Sequence, residues 1–365
     1  MKKLLLSALI LIACTLVFSS CNLLDFSKDE TPAPKEEEYI YDAEDHWIRG
    51  ESAKESHSFQ GEVCQVCSFD MEYTRGIEYK LSHDLSYYYV DGYTGSSEIV
   101  VIEKEFNGVP VTSIMTESFS HRSGIKKIFV PDSVTEIRMY AFAYCTDLEF
   151  IYIPDSVVNA SGWLFTDCEK LSDIVFSDNA KFTHLESFTG TAYYNNKENW
   201  INGVLYVGKH LIKVEESYSG VLTIREGTET IAGNALLNCE NLEKVIIPNT
   251  VRTIGLDAFS GCKSLKSIKL PNSVTGIASY AFKNCTSLEE VILSENLYTI
   301  NNYAFSGCEK LTKIIIPASV VEMGEKIFVG CPNLVAYCRL SYRPTTWHVK
   351  WMGNSNEAHW GYTGE

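Results

Sequence analysis

The amino-acid sequence predicts a repeat solenoid of 23-residue coils, mostly β and irregular, with short parallel strands on a concave face and one inserted β-hairpin. Three observations predict it. Cysteines stand at 145, 168, 239, 262, 285, 308 and 331, so successive gaps are 23, 71, 23, 23, 23 and 23 residues. Three positions before each stands Phe142, Phe165, Leu236, Phe259, Phe282, Phe305 or Phe328. Three positions after each comes Leu148, Leu171, Leu242, Leu265, Leu288, Leu311 or Leu334. Self-similarity at a fixed period of this length marks stacked units that bury a core only against their neighbours.

Before the coils, residues 1–20 read as an export signal. Lys2 and Lys3 are followed by the apolar run Leu4 to Phe18 and by the small residues Ser19 and Ser20. The run is too short for a stable spanning helix. Phe18-Ser19-Ser20-Cys21 resembles the lipobox of bacterial lipoproteins, in which the cysteine is lipidated after cleavage. Leu11-Ile12-Ala13-Cys14 is closer in letters but leaves a shorter signal, so Cys21 is the expected lipidation site. Acyl chains there would anchor the protein to a membrane, at about 0.8 kcal/mol per buried methylene. Residues 21–45 follow as an acidic tether. From Asp25 to Asp45 nine acidic residues face only Lys28 and Lys35, with Pro32 and Pro34 and little to bury. Residues 46–74 form a small segment containing His46, His57, Cys64 and Cys67. This set is open to three readings: a structural zinc site, a Cys64–Cys67 disulfide in an exported chain, or unpaired thiols.

The solenoid is expected over residues 75–338. One unit reads Ala258-Phe259-Ser-Gly-Cys262-Lys-Ser-Leu265-Lys-Ser-Ile268-Lys-Leu270-Pro271-Asn-Ser-Val274-Thr-Gly-Ile277. Leu-x-x-Ile-x-Leu makes a short strand with its apolar residues inward, Pro ends it by removing a ladder donor, and Val-x-x-Ile returns along the other side. Strands about 4.8 Å apart and about ten coils give a rod on the order of 50 Å long. The recurring cysteines stack in register, close enough for disulfides, but parallel side chains make the dihedral awkward. Buried free thiols are the expected state.

The missing beat between Cys168 and Cys239 marks an insertion at about 192–221. Phe188 and Thr191 keep the schedule, and the next strand, Leu222-Thr-Ile224, arrives 25 residues late. Within the insertion, Gly203–Val207 and His210–Lys213 flank Gly208-Lys209 as a β-hairpin. Residues 339–365, with Trp347, Trp351 and Trp360, form an aromatic cap.

At these residues the chain resembles the BspA-like family of bacterial leucine-rich-repeat surface proteins. The matching features are the Ala-Phe-x-x-Cys-x-x-Leu units, the Pro-x-Ser-Val-Thr-x-Ile joints, Tyr193-Tyr194…Trp200-x-x-Gly203-Val-Leu-Tyr206, and Cys338…Trp347…Trp351…Trp360-Gly-Tyr. The resemblance covers roughly residues 75 to 365. It implies a leucine-rich-repeat fold and, since family members include adhesins for host matrix proteins, a binding role at the cell surface.

Composition narrows the partners. A formal net charge of −16, with no Lys/Arg cluster longer than a pair, argues against nucleic acid. There is no phosphate-binding loop, no Gly-x-Ser-x-Gly elbow and no His-Glu-x-x-His. His83, His121, His184, His210, His348 and His359 fall at unrelated phases and read as solvated surface. No catalytic residue and no cofactor beyond the zinc reading is expected. What remains is the outward row of the strands. Phe129, Phe150 and Tyr152, flanked by Lys127 and Val175, are the expected anchor of an extracellular or envelope protein partner. The other reading of the row is β-propensity alone. The expected function is a non-enzymatic surface lipoprotein acting as a protein-binding module or adhesin. The alternative is a structural or assembly lipoprotein that binds periplasmic partners.

Overall fold

A computed structural model of the chain describes residues 74–182, 185–353 and 357–364, with the backbone alone at 39–41, 47–49, 59–60, 63–64, 181–182 and 185. The chain divides into two compact units, residues 1–72 and 73–365. In the first, Tyr39–Tyr41 pairs antiparallel with Trp47–Arg49, and Phe59–Gln60 with Val63–Cys64. Cys21, His46, His57, Cys67 and the side chain of Cys64 lie outside the described residues.

The second unit is a solenoid of about 12 coils. That exceeds the number of recurring cysteines because some coils carry another residue in the cysteine slot, as Thr191 does in the coil of Phe188. Arg122 occupies it in the coil carrying Phe119, and the strand Glu357–Trp360 closes the far end. Alternation sets the interior of each strand. Leu148, Ile151 and Ile153 are buried, while Phe150 and Tyr152 face out. Ile99–Val101, Lys127–Phe129, Phe150–Tyr152 and Asp173–Val175 form one parallel ladder in strict register. After the insertion the same face resumes with Gly220–Thr223, Leu242–Ile246, Ser267–Lys269 and Glu290–Ile292, then Lys313–Ile316, Val335–Cys338 and Glu357–Trp360.

The return segments, expected only to lead back along the other side, make a second parallel ladder. Ser113–Ile114, Glu136–Ile137, Asn159–Ala160 and Lys181–Phe182 pair in turn, as do Thr230, Thr253, Gly276, Thr299 and Glu322 with the residues after them. Two residues per coil are too few to show as a strand period. The Ser of each Pro-x-Ser-Val joint has a task here. Ser133, Ser156, Ser273 and Ser319 Oγ donate to the carbonyl oxygens of Val111, Val134, Val251 and Leu297 one coil earlier, at 2.6–2.8 Å.

The Phe slot builds a column along the interior. Phe119, Phe142, Phe165 and Phe188 follow one another at 5.6, 6.0 and 5.6 Å between ring centroids. Phe259, Phe282, Phe305 and Phe328 do so at 4.9, 5.0 and 5.7 Å. Each such contact adds about 0.5–1.5 kcal/mol beyond area burial. Tyr93 closes one end of the column on Phe119, and Trp351 closes the other on Phe328. The C-terminal cap is therefore part of the core. Trp347 is buried against Trp351 and donates Nε1–H to Val320 O.

All eight cysteines described are buried. The Sγ–H groups of Cys145, Cys168, Cys262, Cys285, Cys308 and Cys331 each donate to a carbonyl 26 residues earlier, at 3.0–3.3 Å. Burial pushes the Cys145 and Cys285 thiols up to about 11 and about 12. One further slot in each coil adopts a left-handed backbone, held by Asn238, Gly261, Asn284 and Gly307. A Cβ at Gly261 would meet Asn238 Oδ1 at 2.5 Å, and one at Gly307 would collide with Asn284 Oδ1. Asn over Gly in successive coils thus meets both the backbone and the space requirement.

The insertion forms the expected hairpin, Val204–Val207 with His210–Val214, bulged at Leu205/Tyr206. Its second strand enters the second ladder beside Thr230–Ile231. His210 corrects the expectation of solvated histidines, because its imidazole is fully buried. Nε2 lies 2.8 Å from Ser177 O and the ring packs edge-on against Phe176, so a coil on one side of the insertion is tied to the hairpin. Burial holds the imidazole down to about 4.

Candidate binding face

The outward residues of the first ladder form two rows. The register places Lys127 beside Phe150 and Phe150 beside Asp173 in one row. It places Phe129 beside Tyr152 and Tyr152 beside Val175 in the other. All five anchor and flanking residues expected from the sequence therefore share one patch on neighbouring strands. Their exposure differs from the expectation of an open aromatic stripe. Phe129 is only 1% exposed, Phe150, Tyr152 and Lys127 are half-buried, and Val175 is 43% exposed. Phe129 sits between Val101 and Tyr152 in its row, with the Phe150 ring 5.3 Å away. Burial, with Asp155 and Asp132 nearby, pushes the Tyr152 hydroxyl up to about 12, so this phenol stays a hydrogen-bond donor at neutral pH.

Beyond the insertion the same rows change character. Val221, Ile246 and Ile292 are exposed, and Lys244, Lys269, Glu290 and Lys313 stand among them. Here the surface dips into a groove of about 520 Å³ lined by Glu290, Ile292, Glu295, Lys313, Ile315, Pro317 and Arg339. Arg339 Nη1–H donates to Glu295 Oε2 at 2.8 Å along one side of it. The row then ends in aromatics. Ile315, Tyr337 and His359 are in register, Tyr337 stacks on His359 at 5.2 Å, and Lys313 Nζ lies 5.4 Å from the centre of the Tyr337 ring. The signal was present, because Leu334, Ala336 and Cys338 keep the inward spacing of the earlier strands.

Among the described residues, no group of three or more His, Cys, Asp or Glu side chains is placed to hold a metal ion. Among the same residues, no helix is long and apolar enough to cross a membrane. What the geometry offers is a long regular face of strands with apolar and aromatic side chains beyond those the core needs.

Such a face on stacked 23-residue coils defines a leucine-rich-repeat solenoid. The family described as BspA type leucine-rich repeat region matches residues 103–208 and 219–335, in six copies, and the chain belongs to that family. No curated protein matches. Among solved structures, a leucine-rich repeat protein from Bacteroides ovatus is 27% identical with a TM-score of 0.34, over 78% of this chain and 66% of its own length. A leucine rich cell surface protein from Faecalibacterium prausnitzii is 18% identical with a TM-score of 0.30, over 86% and 96%. The pneumococcal vaccine antigen PcpA is 17% identical with a TM-score of 0.38, over 79% and 98%.

Proposed function

We propose that the chain is an exported, surface-exposed lipoprotein that binds another protein through the outward strand face of its solenoid. The observation that carries the reading is the composition of that face. Its rows carry Phe150, Tyr152, Val175, Ile246, Ile292, Ile315 and Tyr337 on the outward positions of the strands. Exposed apolar rows on a rigid repeat surface are contact surfaces, and aromatic side chains dominate such contacts. The repeat family supports a binding role, and the export signal with Cys21 supports display at the membrane. Lys127 would border the aromatic end of the face, and the Glu295–Arg339 pair the groove.

The test compares residues 73–365 with a variant in which Phe150, Tyr152, Ile292 and Ile315 are all Ala. A partner retained on the wild-type solenoid and lost from an equally stable variant supports the reading. A partner retained by both excludes this face. Protease treatment of intact cells separates surface display from a periplasmic envelope role. Cys21→Ala is expected to release the protein into the soluble fraction.

A further inference from the structure

The insertion carries a second surface with a different chemistry. A pocket of about 470 Å³ is lined by Tyr194, Trp200, Lys213, Glu215 and Glu216, among others. Lys213 lies on the hairpin strand His210–Val214 and is 8% exposed. A buried ammonium needs partners for its three N–H groups. Lys213 Nζ has one hydrogen bond, to Asn234 O at a long 3.4 Å, and lies 3.9 Å from Glu216 Oε1. That second separation is too long for a hydrogen bond. Burial holds the amine below the usual lysine range, as befits an ammonium short of acceptors.

The other charges of the pocket are already paired. Lys197 Nζ donates to Glu215 Oε1 at 2.8 Å and sits 4.3 Å over the Trp200 ring. Trp200 Nε1–H donates to Tyr194 O. Glu216 is left with a largely exposed carboxylate whose nearest cation is Lys213. The pocket therefore presents one cation and one anion side by side, poorly joined to each other. A simple anion would meet Glu216 as well as Lys213, and a simple cation the reverse. A molecule carrying both charges on neighbouring atoms would satisfy both groups at once.

We propose that this pocket binds a free α-amino acid as its zwitterion. Lys213 takes the carboxylate, Glu216 the ammonium, and the rings of Trp200 and Tyr194 form a wall for the side chain. The site is separate from the outward strand face and does not depend on its function.

Calorimetric titration of the full chain with the free amino acids, their N-acetyl forms and their amides tests this. The expected result is saturable binding of a subset of free amino acids, weakened at least tenfold by either modification. Lys213→Met is expected to weaken binding at least tenfold. Because Lys213 is buried, the exposed Glu216→Gln carries a parallel test. It should abolish the preference for free over N-acetylated ligand. No saturable binding by any free amino acid overturns the proposal. So does equal binding of the N-acetyl forms to the wild type, or a Glu216→Gln protein that keeps the preference.

Discussion

The two halves of the solenoid, before and after the insertion, share an interior and differ in their outward face. Both stack Phe on Phe, bury the cysteine slot and join coils through Ser hydroxyls. On the face, the first half gathers Phe129, Phe150 and Tyr152 into a partly closed aromatic patch. The second half spreads Ile246, Ile292 and Ile315 among Lys and Glu and ends in Tyr337 and His359. One backbone thus supports two surfaces. The inward slots answer to packing, where a missing methylene is felt, and the outward positions are free to answer to a partner.

If the interiors are equivalent, Phe142→Ala and Phe282→Ala should each destabilise the fold by about 3–5 kcal/mol in chemical denaturation. A cost confined to one half would break the equivalence. The junction between the halves should show itself through pH. His210 is held to about 4 in the folded chain against the ordinary 6.5 of a solvated histidine, with burial as the leading cause. The unfolded chain therefore takes up the proton first as pH falls. Stability should be constant in this respect above about pH 6.5 and decline as pH falls towards 4, by roughly 3 kcal/mol at most. His210→Gln should flatten that decline in denaturation curves measured across the window. An unchanged slope would place the acid sensitivity elsewhere.

Within the first half, Phe129→Ala should cost about 1–3 kcal/mol, because the ring is buried. Phe150→Ala and Tyr152→Ala should each cost about 1 kcal/mol or less. Equal losses at all three would mean that the patch has no supporting layer. The smallest expected signal is chemical. The recurring cysteines should resist a thiol reagent in both halves until the chain unfolds, since all are buried and burial keeps thiols such as Cys145 and Cys285 protonated at neutral pH. Labelling confined to one half in the folded state would show that its interior opens.

The interior was legible in the sequence because one residue type recurs at one position per coil. The 23-residue spacing located the Phe column, the thiols, the strands and the inserted hairpin. Alternation told which side Phe129 faces, but not that its ring is buried. The second ladder was hidden because each coil contributes only two residues to it. Tyr337 and His359 were reachable by carrying the inward spacing through Leu334, Ala336 and Cys338. The pocket of the insertion was not, since Lys213 reads as an ordinary polar residue of a hairpin strand. Its burial follows from the register with which that strand enters the second ladder.

On the proposed function, the outward face binds a protein while the interior only holds it in place. The most direct measurement is the affinity of a recovered partner for the wild-type solenoid and for the Phe150, Tyr152, Ile292, Ile315 quadruple Ala variant, each with its melting temperature. A binding loss of about 2 kcal/mol or more is expected in a variant that still unfolds cooperatively. Unchanged affinity in a folded variant would contradict it.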